Sequence, residues 1–335
     1  MKFWRLENSA KALWEERLIQ TRYPSLYQSW EWGEHKKRTG WQPERWIFET
    51  GGNQDFWICQ FLVKKNPLGI RLVWAPGGPC RCSSSPWAPK IAQGLWQVAK
   101  AGNPWTYFRC DPYEPLEAKF SGSPEKTAPL CRPRMILNSA TSVWLELGDS
   151  DETLFQGMDK NHRYRLRQAL KAELTWSHKK TPDAIRDLAR ILSQVREIKS
   201  IRTALPTPGE IENLVNDLGS KTQLTIGYLD GMPVAGALCL LQGNRAWYSY
   251  AGCNLQGRKV SASYALVLEA AKEARRMGAK HLDLAGISPG KARYAGVNDF
   301  KKGFGGRVVR FSGEWEAGNW LTRLIGNVAV FFKHG

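Results

Sequence analysis

Long apolar runs are missing from this chain of 335 residues. A membrane span needs about 18 to 20 consecutive apolar residues, and the nearest approach, Val328 to Phe332, is far too short. The opening string, MKFWRLENSAKALWEER, becomes charged too soon for the apolar core of a signal peptide. A cytoplasmic location is therefore the expectation. Acidic residues are scarce: 31 Asp and Glu stand against 48 Lys and Arg, a net charge of +17. Such an excess points to a polyanionic partner, whether nucleic acid, an anionic membrane surface or a phosphate-bearing substrate. Cys-x-x-Cys pairs are absent. Cys80 and Cys82 form only Cys-x-Cys, and none of the five histidines has zinc spacing. Seven cysteines, an odd number, fit reduced thiols with no metal site. No Walker loop and no Gly-x-Ser-x-Gly elbow occurs, which argues against P-loop and α/β-hydrolase chemistry.

What the chain does contain is a repeat of pattern. Apolar residues make up 42% and include sixteen tryptophans, and the length suits two cores of common size. In the first half, strands are expected at Trp46–Glu49 and Phe56–Lys64 around Gly51-Gly52-Asn53. Ile70–Ala75, a helix over Ala88–Lys100 and a strand at Trp105–Cys110 follow. The second half repeats this order: Gln223–Leu229 and Val234–Leu241 around the Asp230-Gly231 hairpin signal, Ala246–Tyr250, a helix over Ser261–Met277, and His281–Ala285. Between the halves lie helical segments at Asn161–Glu173, Asp183–Lys199 and Glu210–Leu218. A Pro-, Ser- and Gly-rich linker covers Ala118–Pro133. The tail from Trp320 to Phe332 has an apolar stripe at Leu321, Leu324, Ile325, Val328 and Phe332. It is expected to pack back on the first domain; the alternative is a helix on a membrane surface, flanked by Arg323 and Lys333.

Hairpin, strand, helix, strand is the core order of GNAT-type acyltransferase domains. Six strings then carry a more specific likeness. They are Gln28-Ser-Trp-Glu-Trp-Gly-Glu-His-Lys-Lys37, Trp74-Ala-Pro-Gly-Gly-Pro79, Phe108-Arg-Cys-Asp-Pro112, Trp247-Tyr-Ser-Tyr-Ala-Gly252, His281-Leu-Asp-Leu-Ala-Gly-Ile287 and Asp299-Phe-Lys-Lys-Gly-Phe-Gly-Gly306. In this order the chain resembles the FemABX family. The resemblance implies an α/β protein of two tandem GNAT-like domains with a cleft between them. The domains are expected at residues 1–147 and 148–316, with the helix at 317–335 on the first. The implied activity is transfer of an amino acid from aminoacyl-tRNA, the co-substrate, to the stem peptide of a peptidoglycan precursor, UDP-linked or lipid-linked. No other cofactor is implied. Some members carry a coiled-coil arm in the second domain; Asp183–Leu218 has no room for one, so the compact members are the better match.

The resemblance also assigns roles. Lys301 stands at the position thought to stabilise the tetrahedral oxyanion or the departing tRNA hydroxyl, in a loop held by glycines and Phe304, with Lys302 as its rival. Asp111, in the Asp-Pro pair, is implied as a base; a turn-forming Asp is the alternative. Lys36 or Lys37, beside Trp32, resembles the lysine that contacts the acceptor diphosphate. Of Tyr248 and Tyr250, only one is expected to face the cleft, and Tyr250 matches better. Arg202 stands in for an Arg-Pro-x-x-Tyr-like element whose tyrosine is absent. The basic run Lys160–Lys171, through Arg163, Arg167 and Lys171, is the tRNA candidate, since charges four apart share one helix face.

The alternative donor is acyl-CoA, with a polysaccharide or small amine as acceptor. CoA enzymes of the GNAT type place a Gln/Arg-x-x-Gly-x-Gly/Ala loop before the main helix, where its N–H groups cradle pyrophosphate. Here that place holds Gln256-Gly-Arg-Lys-Val-Ser-Ala262, with Lys259 where the glycine is needed. Peripheral contact with the inner face of the membrane completes the expected partners.

Overall fold

Two mixed sheets, one in each half of the chain, carry the architecture of the computed structural model, which describes residues 1–49, 55–66, 69–82, 89–116, 129–199, 205–290 and 292–334. The first unit comprises Met1–Ala140 and Arg310–Gly335, the second Thr141–Val309.

The first unit runs β1 (Lys2–Arg5), α1 (Lys11–Gln20), α2 (Trp30–Lys37), β2 (Gln42–Glu49), β3 (Phe56–Lys65), β4 (Arg71–Gly77), β5 (Cys80–Arg81), α3 (Pro89–Lys100) and β6 (Thr106–Pro112). The second unit runs β7 (Thr141–Glu146), α4 (Asp151–Gly157), α5 (Lys160–Leu170), β8 (Thr175–Ser177), α6 (Pro182–Lys199), α7 (Pro208–Leu218), β9 (Thr222–Leu229), β10 (Met232–Gln242), β11 (Arg245–Cys253), α8 (Leu255–Lys259), α9 (Ala262–Arg276), β12 (His281–Gly286), α10 (Ala295–Lys302) and β13 (Arg307–Arg310). The chain then returns to the first unit with β14 (Trp315–Ala317) and α11 (Trp320–His334).

Among the described residues the first sheet has the order β1-β2-β3-β4-β6-β14, with β5 also on β3, and the second β13-β7-β12-β11-β10-β9-β8. β3 reads as a continuous apolar run because both its faces are covered. Phe56 and Ile58 pack with Trp14, Leu18 and Trp30 of α1 and α2. Trp57, Cys59, Phe61 and Val63 pack with Ile91, Leu95 and Val98 of α3. In the second unit, Val143, Leu145, Cys239, Leu282 and Leu284 pack with residues of α4, α5 and α9. The opposite face of β10 and β11 carries α6, where a Cβ on Gly236 would meet Leu188 and Ile191, and one on Gly252 would meet Ile191 and Val195.

The repeat expected from the sequence is present. Hairpin β2–β3 matches β9–β10, β4 matches β11, α3 matches α9 and β6 matches β12, with β4·β6 and β11·β12 the parallel pairs. Asp230 and Gly231 both adopt positive φ, 51° and 75°, as a two-residue hairpin turn requires. The Gly51-Gly52-Asn53 turn lies outside the described residues.

The sequence placed the domain divisions at 147/148 and 316/317, whereas the contacts divide the chain at 140/141 and 309/310. β7 is an inner strand of the second sheet, paired with β12. The segment from Phe311 onward is held to the first unit by Phe311 N–H donating to Ala140 O and by β14 pairing with β6. Strand pairing at such a junction is long-range and leaves no mark in local composition.

Candidate active site

In the second unit, β11 and β12 pair only over Arg245–Trp247 and His281–Asp283, although the strands continue to Cys253 and Gly286. Beyond Trp247 and Asp283 they part. The equivalent strands of the first unit stay paired throughout, Arg71–Gly77 with Thr106–Pro112. Two irregularities accompany the parting. β12 holds one extra residue against β7 between Asp283 and Gly286, with Ala285 at φ 64°. The buried Asp283 fixes this bulge: its carboxylate accepts from Ala285 N–H at 2.8 Å, from Trp144 Nε1–H at 2.9 Å and from the Ser142 hydroxyl. Burial pushes its pKa up. β11 holds an extra residue at Ser249, because Leu238 faces Tyr250 and Cys239 faces Tyr248.

Lys301 sits where this parting occurs. Its Nζ donates to Gly286 O at 2.8 Å. The sequence put it in a loop; the structure places it in the last turn of α10, half-buried, with Lys302 exposed beside it. An eight-residue helix is too short to show helical periodicity, and its position is set by tertiary contacts. Phe300 and Phe304 lie on either side of the lysine pair and stack with Tyr264 and His162, at ring-centroid separations of 4.9 to 6.0 Å. His162 Nε2 reaches Phe300 O at 2.9 Å, its Nδ1 reaches Asp159 Oδ1 at 3.0 Å, and Asp159 N–H donates to Gly303 O. A Cβ on Gly303 would stand 2.0 Å from the His162 ring, and one on Gly305 would stand 1.9 Å from Gly157 O. The string Asp299–Gly306 is thus the contact by which α10 is locked to α4 and α5. His162 was not singled out by the sequence; its only local signal is Asp159 three residues before it, the N-cap of α5.

Tyr248 and Tyr250 border the same parting. A regular strand would put residues two apart on one face. The bulge at Ser249 sends them to opposite faces: Tyr248 packs among Cys239, Cys253 and Leu266, on the α9 side, while Tyr250 shares its face with Gly252, on the α6 side. Burial pushes both phenols up.

In the first unit, three of the six strings interlock through Gln28. Its Nε2 donates to Pro76 O at 2.8 Å and to Gln60 O, its Oε1 accepts from Gln60 N–H at 2.6 Å, and its carbonyl accepts from Trp14 Nε1–H. Its amide fills the space a Cβ on Gly78 would need, and Gly78 O accepts from Asp111 N–H. Trp32 is inside α2, which starts at Trp30 with Ser29 Oγ as its N-cap. It packs edge-on against Tyr27, which contacts Tyr113. Lys36 Nζ lies 4.6 Å from the Trp32 ring centroid, a cation–π contact, whereas Lys37 is paired with Glu34 at 2.5 Å.

Asp111 is not a turn residue. It lies within β6 opposite Pro76, and Asn138 Nδ2–H donates to it at 2.8 Å. Burial, reinforced by the nearby Glu314 carboxylate, raises its pKa to about 7 against the opposing effects of Asn138 and Arg109. The native protein then binds a proton between about pH 4 and 7 that the unfolded chain does not. This stabilisation is complete below pH 4 and is lost as pH rises through 7. Asp111→Asn, which keeps an acceptor for Asn138, is expected to flatten the fall in melting temperature from pH 5 to 8, an effect on the order of a few kcal/mol. Parallel melting curves for parent and variant across that range would contradict it.

Arg163, Arg167 and Lys171 lie on or at the end of α5, but they differ. Arg163 Nη1 donates to Met158 O at 2.6 Å and Gln156 O at 3.2 Å, so it caps α4. Arg167 and Lys171 are exposed, as are Lys160 and Arg165, and the Arg167 guanidinium lies over Phe155. Arg202 lies outside the described residues.

Comparison with known proteins places the fold. The sequence model of the FemAB family matches residues 206–318, which span α7 to β14. No curated protein matches in sequence. The crystal structure of FemX aligns with a TM-score of 0.83 at 16% identity, covering 98% of this chain and all of that one. A tandem GNAT protein from the clavulanic acid biosynthesis pathway aligns with a TM-score of 0.56 at 12% identity, over 94% of this chain and 98% of its own. A C-terminal domain of a putative lysylphosphatidylglycerol synthetase from Agrobacterium fabrum aligns at 0.56 and 13% identity, over 97% and 98%. The fold is that of the tandem GNAT-like acyltransferases. The resemblance to the FemABX family is borne out, by the FemAB pattern over residues 206–318 and by the match to FemX along the chain.

Proposed function

We infer that the protein is an aminoacyltransferase that moves an amino acid from aminoacyl-tRNA to the stem peptide of a peptidoglycan precursor, in the cytoplasm. One observation supports this most directly. α10, which carries Lys301, is bonded through His162 and Asp159 to α5, the helix with the exposed basic face. A site for a polyanionic donor and a cation for the reacting carbonyl are thereby built as one piece.

The acceptor amine attacks the ester carbonyl, the tetrahedral intermediate carries its charge on the former carbonyl oxygen, and collapse forms the amide and releases the tRNA hydroxyl. Lys301 stabilises that oxygen or the leaving hydroxyl. Asp111, with its pKa near 7, has the proton affinity a general base needs at neutral pH. Lys36 on Trp32, with Lys37, suits the acceptor diphosphate.

The acyl-CoA alternative has less support. Gln256 to Lys259 belong to helix α8, and a Cβ on Gly257 would stand 2.7 Å from Val234 O. That backbone is committed to helical bonds and close packing rather than open to a pyrophosphate.

The test is incubation with a mixed charged-tRNA pool and muropeptide acceptors, followed by mass spectrometry of the products. Binding of tRNA should weaken with salt, with a log–log slope of about −5 for six phosphate contacts. Arg167→Glu with Lys171→Glu should lower that slope and leave acceptor binding unchanged. A flat salt response, or micromolar CoA binding by calorimetry, would displace this reading.

A further inference from the structure

The first half of helix α11, Trp320–Val328, is inverted relative to an ordinary surface helix, which turns its apolar stripe inward. Over Trp320–Val328, where the side chains are described, its buried side is polar or small. Thr322 Oγ1–H donates to Thr106 O, Asn327 Nδ2–H donates to Glu316 Oε2 at 2.8 Å, and Gly326 rests on the Tyr107 ring. From the sequence the tail is expected to pack back on the first domain. The helix does pack there, but Leu321 and Ile325 are only half-buried, and the side chain of Phe332 lies outside those described. Trp320, Leu324 and Val328, four residues apart, are 76, 46 and 45% exposed.

Two other exposed apolar groups adjoin segments bonded to this helix. Asn319 Nδ2–H donates to Pro104 O, which sets Trp105, 49% exposed, beside the start of the helix. Met135 N–H donates to Asn327 Oδ1, which sets Ile136, 71% exposed, beside its middle. Next to the stripe lies a groove of about 210 Å³ lined by Arg134, Glu316, Trp320, Arg323, Leu324 and Asn327. The Glu316 carboxylate is already engaged by Tyr107, Arg323 and Asn327, so the groove presents positive charge.

The geometry points to a bilayer surface containing anionic lipid as the occupant of this face, with α11 lying in the plane of the headgroups. Tryptophans at the interface, an apolar stripe below it and arginines at phosphate level are the elements of such a site. Among the described residues no helix is long and apolar enough to cross a membrane, so the contact is peripheral.

The test is flotation of the full chain with vesicles of phosphatidylcholine alone and with about a third phosphatidylglycerol. It needs neither donor nor acceptor, so its failure and failure of the transfer reading are separable. The anionic vesicles should carry the protein, less so in high salt. Trp320→Ser with Leu324→Ser should lower partitioning on the order of tenfold or more, with an unchanged melting temperature because both side chains are exposed. Arg134→Glu should weaken binding to the anionic vesicles only. The proposal is overturned if the protein floats no better with anionic vesicles than without, if the double variant binds like the parent, or if light scattering finds a dimer that the double variant abolishes.

Discussion

Lys301→Met is expected to lower the rate of aminoacyl transfer by roughly two to three orders of magnitude, the loss seen when one oxyanion donor is removed. The substitution keeps an unbranched stem and removes the charge. If the charge acts on the developing oxyanion or the leaving hydroxyl, its effect falls in the transition state, so donor and acceptor affinities should change little. The substitution also removes the bond to Gly286 O. It lies at the surface and contributes about 1 kcal/mol or less, too little to unfold the second unit. Lys302→Met, one residue on and exposed, is the control and should be mild. Near-normal turnover by Lys301→Met would return Lys301 to a purely structural role as a cap on Gly286. So would equal impairment of both variants through lowered stability.

The largest effect on stability is expected at Gly305. Its φ is +81°, a conformation that costs a residue with a Cβ about 1 to 2 kcal/mol. The added Cβ would also meet Gly157 backbone, 1.9 Å from its O and 2.5 Å from its C, where no flexible side chain can yield. Gly305→Ala should therefore destabilise the second unit by about 3 kcal/mol or more. Gly290 separates the two causes. It has nearly the same φ, +79°, but a methyl there would meet nothing within 4 Å, so Gly290→Ala should show only the conformational cost. Chemical denaturation of both variants makes the comparison, and equal losses would mean that the contact with α4 carries no weight. Because that contact also positions α10, Gly305→Ala should reduce transfer even where the protein remains folded.

Much of this fold is legible in the sequence. Alternation of apolar residues marks β3, β9, β10 and β12 nearly to their ends but only the second half of β2, and Asp230-Gly231 marks its hairpin, because a two-residue turn with both φ positive restricts residue choice strongly. Helical spacing marks α3, α5, α6 and α9 to within a few residues. Thr207, set between Pro206 and Pro208, forms a capping box with Glu210 at the start of α7. The elements not anticipated, β1, β5, β7, β8, β13, β14, α4, α8 and α10 among them, are short. Few residues give weak periodicity, and partners elsewhere in the chain decide whether such segments become strands at all.

The candidate site divides in the same way. Sequence alone determined the residue types that chemistry requires, Lys301, Asp111, the Lys36–Lys37 pair and the basic run on α5, and the resemblance that ties them together. It also determined that the CoA-type loop is degenerate. The tertiary structure decided the rest. It put Lys301 on a helix rather than a loop, gave Arg163 to the end of α4, and turned Tyr248 and Tyr250 to opposite faces by one extra residue in β11. It buried Asp111 beside Glu314, more than 200 residues away in the chain, and so raised its pKa. It also turned Trp320, Leu324 and Val328 of α11 outward, because Thr322, Gly326 and Asn327 meet Thr106, Tyr107 and Glu316. The physical reason is common to all of these. Residue type and local spacing are properties of a short window of chain, whereas burial, bulges and the facing of a helix depend on groups that only folding brings together.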